Sequence, residues 1–115
     1  MDYDGIALDQ LPIGEVVWSD PTHLRRSLRY PGEEDIATEH ATEAALDPDR
    51  LVGADPTSRT GETIRIIGYS PSVHRVLLVV VRPEEHPPAG RWEGVTARPA
   101  TRRERQIYVE AQEAR

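Results

Sequence analysis

The feature of this sequence that most constrains its fold is an unbroken apolar run, VLLVVV, at residues 76–81. A half-buried strand alternates apolar and polar residues, whereas a run that is apolar at every position is typical of a strand buried on both faces. The run is also far too short to cross a bilayer, which takes about 20 residues of helix. The stretch HRVLLVVVRP, residues 74–83, is therefore predicted to be the central strand of a sheet.

Two further strands are predicted, one before and one after this run. ETIRIIGY, residues 62–69, alternates so that Arg65 and Tyr69 share one face of the strand. RWEGVTAR, residues 91–98, forms the second of these strands. The connections SPS and EEHPPAG are short and rich in turn residues, which favours an antiparallel arrangement of the three strands.

The first 19 residues carry weaker structural signals. Residues 1–14 are acidic and include Gly and Pro, so we expect a poorly ordered leader there and a single domain over residues 15–115. EVVWS, residues 15–19, is predicted to be a short strand at the start of that domain.

Two helices are expected before the first long strand. One begins after Ser19 or Asp20, has Pro21 at its first position, and ends before the YPG at residues 30–32. The second begins near the acidic residues 33–35, where negative charge suits a helix N-terminus, and stops before the Asp–Pro step at 47–48. Residues 47–61 contain two Asp–Pro steps and no periodicity, and are predicted to be a long loop.

The last element is predicted to be a helix over residues 102–113. Thr101 and Glu104 match a capping box, in which each side chain bonds the backbone amide of the other residue. The element order is then β-α-α-β-β-β-α. We therefore expect an α+β fold: a small antiparallel sheet with two N-terminal helices and one C-terminal helix.

The charged residues are unusual in kind and in placement. All 14 basic residues are arginine, and the chain contains no lysine and no cysteine. Residues 1–58 carry a net charge of −9 and residues 59–115 a net charge of +3, within a total of −6. The overall negative charge argues against non-specific DNA binding, but the asymmetry allows a basic face on an acidic body.

The C-terminal segment TARPATRRERQIY resembles the end of the BrnT toxins of bacterial toxin–antitoxin modules. In those toxins a strand ending in Ala–Arg is followed by an Ala–Thr–Arg turn and a helix that opens with Arg–Glu–Arg and carries a tyrosine. IIGYSPSVHRVLLVVV (residues 66–81), EAALDPDRLV (residues 43–52) and Trp18 before a helix are similar to upstream parts of that family. The matching residues of the motif are Ala97, Arg98, Ala100, Thr101, Arg102, Arg103, Glu104, Arg105 and Tyr108.

The resemblance implies a RelE-like fold and the activity of a type II toxin, namely endoribonuclease cleavage of RNA. It also implies a cognate antitoxin that neutralises the toxin and binds DNA through a ribbon-helix-helix domain. DNA would then be contacted only through the antitoxin. The N-terminus lacks the pattern of a signal peptide, so a cytoplasmic protein with no membrane contact is expected.

Metal-independent RNA cleavage requires a base for the 2′-hydroxyl, an acid for the leaving oxygen and positive charge around the phosphate. Arginine suits the last task because its planar fork binds two phosphate oxygens. We predict that Arg65, Arg98 and Arg102 line the phosphate site, which requires the last helix to fold back on the sheet. No cofactor is expected, and without cysteine or an HExxH motif no metal site is predicted.

Several other residues are candidates with an alternative explanation. His23, near the start of the first predicted helix, is a candidate base or an exposed helix residue. Glu104 is a second candidate base, although the capping box accounts for it. Tyr69, Arg105 and Tyr108 are candidate substrate-binding residues; Arg105 could instead face the antitoxin, and Tyr108 could pack on the core.

A non-catalytic function remains open at this level. The same fold could serve as a protein-binding module whose basic face docks an acidic partner and cleaves nothing. The absence of a lysine base favours this alternative, since no amine with a shifted pKa is available.

Overall fold

A five-stranded mixed sheet forms the centre of the computed structural model, and from one edge to the other its strands are Ile13–Val17, Gly90–Pro99, Arg75–Pro83, Ile64–Ser70 and Leu51–Ala54. The structure describes residues 2–20, 24, 31–32 and 34–114. The α+β class predicted from the sequence is confirmed, whereas the predicted number and order of elements differ from those observed. The elements are β1 (Asp2–Tyr3), β2 (Ile6–Ala7), a 3₁₀ turn (Leu8–Gln10), β3 (Ile13–Val17), α1 (Thr38–Ala45), β4 (Leu51–Ala54), β5 (Ile64–Ser70), β6 (Arg75–Pro83), β7 (Gly90–Pro99) and α2 (Arg102–Glu113).

The central position predicted for the apolar run is confirmed. β6 lies third in the sheet, and Leu77 to Val81 are all buried. It pairs antiparallel with both β5 and β7, as the short connections predicted. The alternation in β5 is also confirmed: Ile64 and Ile66 are fully buried, while Arg65, Ile67 and Tyr69 point to the opposite face.

The sheet is mixed, and the prediction of an antiparallel sheet is corrected by its first strand. β3 pairs in parallel with β7, with Val16 opposite Trp92. A parallel pair needs a long crossover connection, and here the two strands lie far apart in the sequence. Local patterns do not encode which edge of the sheet an early strand will join, so this pairing could not be predicted from them.

A further strand, β4, lies within residues 47–61, which were predicted to be a long loop. It pairs antiparallel with β5 along its whole length, from Leu51 opposite Ile67 to Ala54 opposite Ile64. The strand is four residues long and contains Gly53, so its alternation is too short to stand out in the sequence.

Two α-helices are present in the described part of the chain, not the three predicted. The first predicted helix, after Asp20, lies outside the described residues, apart from the single residue Leu24. α1 begins at Thr38 instead of near residue 33. Residues 34–37 are not helical, so Glu34 and Asp35 precede the helix. No helix in the described ranges has both the length and the apolar content needed to span a membrane.

The N-terminal residues pack against the sheet, in place of the poorly ordered leader that we expected. β1 and β2 form a small hairpin, and Leu11 and Ile13 are buried in the core. The Trp92 indole donates a hydrogen bond to the Pro12 carbonyl at 2.8 Å, and the Tyr3 ring lies 6.1 Å from the Trp92 ring. The expected boundary at residue 14 therefore falls within β3.

The two helices lie on opposite faces of the sheet. α1 packs on the face that carries Ile64, Ile66 and Gly68, with three of its alanines fully buried. The helix comes so close that a Cβ on Gly68 would lie 1.8 Å from the Ala44 carbonyl oxygen. α2 begins with the predicted capping box, which is present, and lies on the face that carries Arg65.

This close approach predicts that replacing two strand glycines with alanine will have very different effects on stability. Gly68→Ala should lower the free energy of unfolding by about 3 kcal/mol, the upper end of overpacking penalties, because the methyl group meets rigid backbone. Gly53→Ala is the matched control, because no atom lies within 4 Å of the added methyl group. Urea denaturation of both variants measures the difference, and equal stabilities would contradict this packing of α1.

Candidate functional site

Arg65 and Arg98 lie on the same face of the sheet, with one strand, β6, between them. Arg65 is opposite Val80 in the β5–β6 pair, and Arg98 is opposite Leu78 in the β6–β7 pair. α2 folds back over this face, where Glu104 and Arg65 line a common cavity of about 320 Å³. The structure thus brings these predicted residues to one face, beneath the C-terminal helix.

Arg65 is paired with an acidic residue from the β4–β5 loop. Its Nε atom lies 3.4 Å from Asp55 Oδ1, and it is buried without a hydrogen-bond partner among the described residues. Burial raises the pKa of the Asp55 carboxyl, but hydrogen bonds from Thr57 and Thr63, with the charge of Arg65, bring it below its ordinary value. The Arg65 charge is therefore already balanced within the fold.

Arg98 forms a two-pronged ion pair with Glu104. Its two terminal nitrogens donate to the two carboxylate oxygens at 2.8 and 2.9 Å, and Thr101 N–H donates to Glu104 at 2.8 Å. Burial raises the Glu104 pKa, but the bonds from Arg98 and Thr101 outweigh it and leave the pKa below its ordinary value. The Glu104 carboxylate thus holds the start of α2 against β7, which accounts for it structurally.

The other predicted phosphate ligand, Arg102, lies apart from this pairing. Arg102 and Arg103 are exposed on α2, and neither forms an ion pair with the described residues. His23, the candidate base, lies outside the described residues. The structure therefore places Arg65, Arg98 and Glu104 together and leaves Arg102 apart from them at the surface.

Tyr108 is buried, and its hydroxyl donates a hydrogen bond to the carboxylate of Asp47. The same carboxylate accepts from the backbone amides of Tyr69 and Asp49, each at 2.8 Å. A buried carboxylate is tolerated only when such donors replace water. Tyr108 is thus a packing residue in this structure, and it ties α2 to the end of α1 and to β5.

A second group of side chains meets at the turn between β5 and β6. The Tyr69 hydroxyl lies 3.1 Å from His74 Nδ1, and the two residues share a cavity of about 300 Å³ with Arg75 and Arg105. Pro99 at the end of β7 and Ala100 directly after it close its other side. We call this the hairpin cavity; its lining residues are Tyr69, His74, Arg75, Val76, Pro99, Ala100 and Arg105.

The two arginines of the hairpin cavity are held in different ways. Arg105 Nη1 donates to the Ala100 carbonyl at 2.8 Å, which orients the guanidinium and leaves its other donors for a ligand. Arg75 pairs with both carboxylate oxygens of Glu34 and is 40% exposed. The cavity therefore combines a histidine, a phenol and two cations, a set suited to bind an anion and transfer a proton.

His74 is the residue that the sequence interpretation missed. The central strand predicted over residues 74–83 includes His74, but His74 lies in the turn before β6, with a left-handed φ of 52°. Turns of this kind often hold one residue in that conformation. The pairing of Ser70 with Arg75 makes residues 71–74 the loop, and this register brings His74 to Tyr69. A left-handed histidine beside a tyrosine could have been found only with the register known.

The chain matches no protein-family model and no curated protein. The resemblance of the C-terminal segment to the BrnT toxins therefore stays a prediction that rests on the residues quoted above. Within residues 2–20, 24, 31–32 and 34–114, no three histidine or carboxylate side chains lie close enough together to hold a metal ion.

The hydrogen bond between Tyr108 and Asp47 predicts that removing the hydroxyl of Tyr108 will destabilise the fold much more than removing that of Tyr69. Tyr108→Phe should lower the free energy of unfolding by about 2 kcal/mol, because it leaves a buried carboxylate with one donor fewer. Tyr69→Phe loses only an exposed contact with His74 and should change stability by less than about 0.5 kcal/mol. Chemical denaturation measures both, and a larger effect at Tyr69 would contradict this assignment.

The lowered pKa of Glu104 predicts a pH-dependent contribution to stability. A carboxyl whose folded pKa lies below its ordinary value stabilises the fold above that value, and the stabilisation is lost as pH falls through the folded pKa. Glu104→Gln should therefore cost about 1.5 kcal/mol or more at pH 7, and the cost should shrink below about pH 4. Glu110→Gln on the exposed face of α2 is the control. A cost for Glu104→Gln that stays constant with pH would rule out the ion pair as its cause.

Proposed function

We propose that this protein is a metal-independent endoribonuclease and that the hairpin cavity is its site of RNA cleavage. The observation that carries the proposal is the contact of Tyr69 with His74 in a cavity that also presents Arg105. These groups supply a proton acceptor, a hydroxyl donor and a guanidinium, which are the parts that RNA cleavage by the 2′-hydroxyl needs.

In this proposal the two nitrogens of His74 have different tasks. In the tautomer whose Nδ1–H donates to the Tyr69 oxygen, Nε2 is free to take the proton from the 2′-hydroxyl. The 2′-oxygen then attacks phosphorus while the bond from phosphorus to the 5′-oxygen breaks. The Tyr69 hydroxyl, released from donating to His74, supplies the proton for the leaving 5′-oxygen. The products are a 2′,3′-cyclic phosphate and a 5′-hydroxyl end.

Positive charge around the phosphorus stabilises the dianionic transition state. Arg105 is the principal donor because its guanidinium is oriented by Ala100 and otherwise free to bind oxygens. Arg75 can join it if the phosphate takes the place of the Glu34 carboxylate. Removal of one such donor typically costs a factor of about 10²–10³ in rate.

The arginines singled out from the sequence have supporting tasks in this proposal. Arg98 and Arg65 hold α2 and the β4–β5 loop through their carboxylate partners, which fixes the helix that carries Arg105. Arg102 is exposed one turn before Arg105 and can contact a neighbouring phosphate of the RNA chain. The phosphate site thus shifts from Arg65 and Arg98 toward Arg105 and His74.

The biological setting follows from the resemblance alone. We propose that the protein is the toxin of a type II toxin–antitoxin pair and acts in the bacterial cytoplasm. Its cognate antitoxin, with a ribbon-helix-helix DNA-binding domain, would neutralise it and provide its only link to DNA. The RelE-like fold of that family belongs to the same proposal.

The second candidate function is a non-catalytic module that docks an acidic partner. The observation that favours it is the exposure of Arg102 and Arg103, which form no ion pair with the described residues. Val109, half-exposed on the same helix, adds an apolar group to that surface. This function needs α2 but does not need His74, which separates it from the first.

Cleavage of a labelled RNA in the presence of excess chelator tests the proposal. Wild-type protein should cleave to cyclic-phosphate ends, and His74→Ala should lower the rate at least 100-fold, because it removes the base. Arg105→Ala should lower it by about 10²–10³. The same two variants should relieve the growth arrest that the wild-type protein causes when expressed in a bacterial host.

Two control variants show whether a loss of cleavage activity is specific to the proposed site. His86→Ala removes an exposed histidine that pairs with Asp4, and Arg103→Ala removes an exposed arginine of α2. Both should retain activity within a few-fold. Absence of cleavage by folded wild-type protein, or full activity of His74→Ala, would overturn the proposed cleavage site. The non-catalytic docking function would then be the better account of the protein.

A further inference from the structure

A second cavity adjoins the hairpin cavity and shares Tyr69 with it. It has a volume of about 420 Å³, within the usual range for small-molecule sites, about 300–1,000 Å³. Its walls are largely apolar side chains from the end of α1 and from the β5–β6 turn. The lining residues that matter here are Leu46, Pro48 and Pro71, with Thr42, Glu43 and Asp47 as polar groups.

Tyr69 spans the boundary between the two cavities. Its backbone amide donates to Asp47, which lines the apolar cavity, and its hydroxyl meets His74, which lines the hairpin cavity. Tyr69 therefore forms part of the wall of both cavities, and a ligand that occupies both contacts this side chain. Aromatic side chains in such positions stack well on nucleobases, whatever the base.

The two cavities differ in charge in a way that matches the two ends of a nucleotide. The hairpin cavity is lined by Arg75 and Arg105 and suits a phosphate, whereas the apolar cavity is lined by the acidic residues Glu43 and Asp47 and by no basic residue, so it disfavours an anion. A neutral planar group with N–H donors on its edge fits the second cavity. A nucleobase has these properties, and in a nucleotide the ribose joins it to the phosphate.

The polar groups of the apolar cavity are held in place before any ligand enters. Glu43 accepts hydrogen bonds from the Ser70 and Ser72 hydroxyls, each at 2.7 Å, which fixes its carboxylate against the β5–β6 turn. Thr42 accepts a bond from the Trp18 indole at 2.9 Å and keeps its own hydroxyl proton for donation. A base entering the cavity thus meets a fixed set of acceptors and one donor.

We propose that the apolar cavity beside Tyr69 is the subsite for the base of the nucleotide whose phosphate occupies the hairpin cavity. This inference rests on the proposed function, since it takes RNA to be the ligand. The cleavage chemistry does not say where the base of the substrate binds. We place one base near the cleaved phosphate, between Leu46 and the two prolines, with Tyr69 as the wall that the two cavities share.

Binding of nucleoside 5′-monophosphates and of ribose 5-phosphate to the whole protein tests the subsite without depending on cleavage. The two kinds of probe differ only in the base. Titration calorimetry should show at least one of the four common nucleotides binding ten-fold or more tightly than ribose 5-phosphate. The methyl signals of Leu46 in NMR spectra should shift with the nucleotide and not with ribose 5-phosphate.

Two proline-to-glutamate variants, one at the rim of the apolar cavity and one outside it, test where the base binds. Pro48→Glu places a carboxylate at an exposed position of the cavity and should reduce the preference for nucleotide over ribose 5-phosphate to less than three-fold. Pro56→Glu makes the same change at the other Asp–Pro step, outside the cavity, and should keep the wild-type preference. The ratio of the two affinities cancels any general effect of the added charge on phosphate binding.

The outcomes separate this inference from the proposed function. Equal affinity for nucleotide and ribose 5-phosphate, with both lost in Arg105→Ala, would overturn the base subsite and leave the phosphate site intact. A nucleotide preference that is unchanged in Pro48→Glu would place the base elsewhere and also overturn it. If neither probe binds the folded wild-type protein, both the subsite and the proposed phosphate site are wrong.

Discussion

The buried carboxylate of Asp47 joins three parts of the chain on which the proposed site depends. It lies just after α1, and it accepts hydrogen bonds from the Asp49 amide, the Tyr69 amide on β5 and the Tyr108 hydroxyl on α2. Burial of a charge is costly unless such bonds compensate for it, so the three donors and the carboxylate constrain one another. α2 buries few apolar side chains, and Tyr108 is the one buried residue among those described in it. Its attachment therefore depends on this bond and on the pairing of Arg98 with Glu104 at its first turn.

Both cavities follow from that attachment. Once α2 is fixed against the sheet, Arg105 comes to the end of the β5–β6 hairpin, where the turn places His74 beside Tyr69. The hairpin itself is held from the other side of the sheet by Glu43 of α1, whose pKa is lowered by hydrogen bonds from Ser70 and then Ser72. The candidate site is thus assembled from a helix start and a strand turn that the rest of the fold holds rigidly, which is the arrangement that proton transfer and phosphate binding require.

The arginines of this acidic chain fall into two groups: those paired with a carboxylate and those exposed at the surface. Arg65, Arg75 and Arg98 each pair with a carboxylate on another element or loop, and these pairs contribute to the packing of loops and helices. Arg102 and Arg105 lie at the surface near the start of α2, with Arg103 exposed between them. The basic cluster of the sequence is therefore part structural and part available to a ligand, a division that the spacing of charges alone does not reveal.

The sequence by itself determined the elements whose signals are local. The run of residues that is apolar on both faces specified β6 as the central strand. Alternation of apolar and polar residues specified the two faces of β5, and the Thr101–Glu104 capping pattern specified the start of α2. Each rests on neighbours a few residues apart, and each is confirmed. Tertiary structure alone decided the parallel pairing of β3 with β7, the short strand β4, the packing of the N-terminal segment and the meeting of His74 with Tyr69. These depend on register and on contacts between residues far apart in the chain, which a single sequence read along its length does not contain.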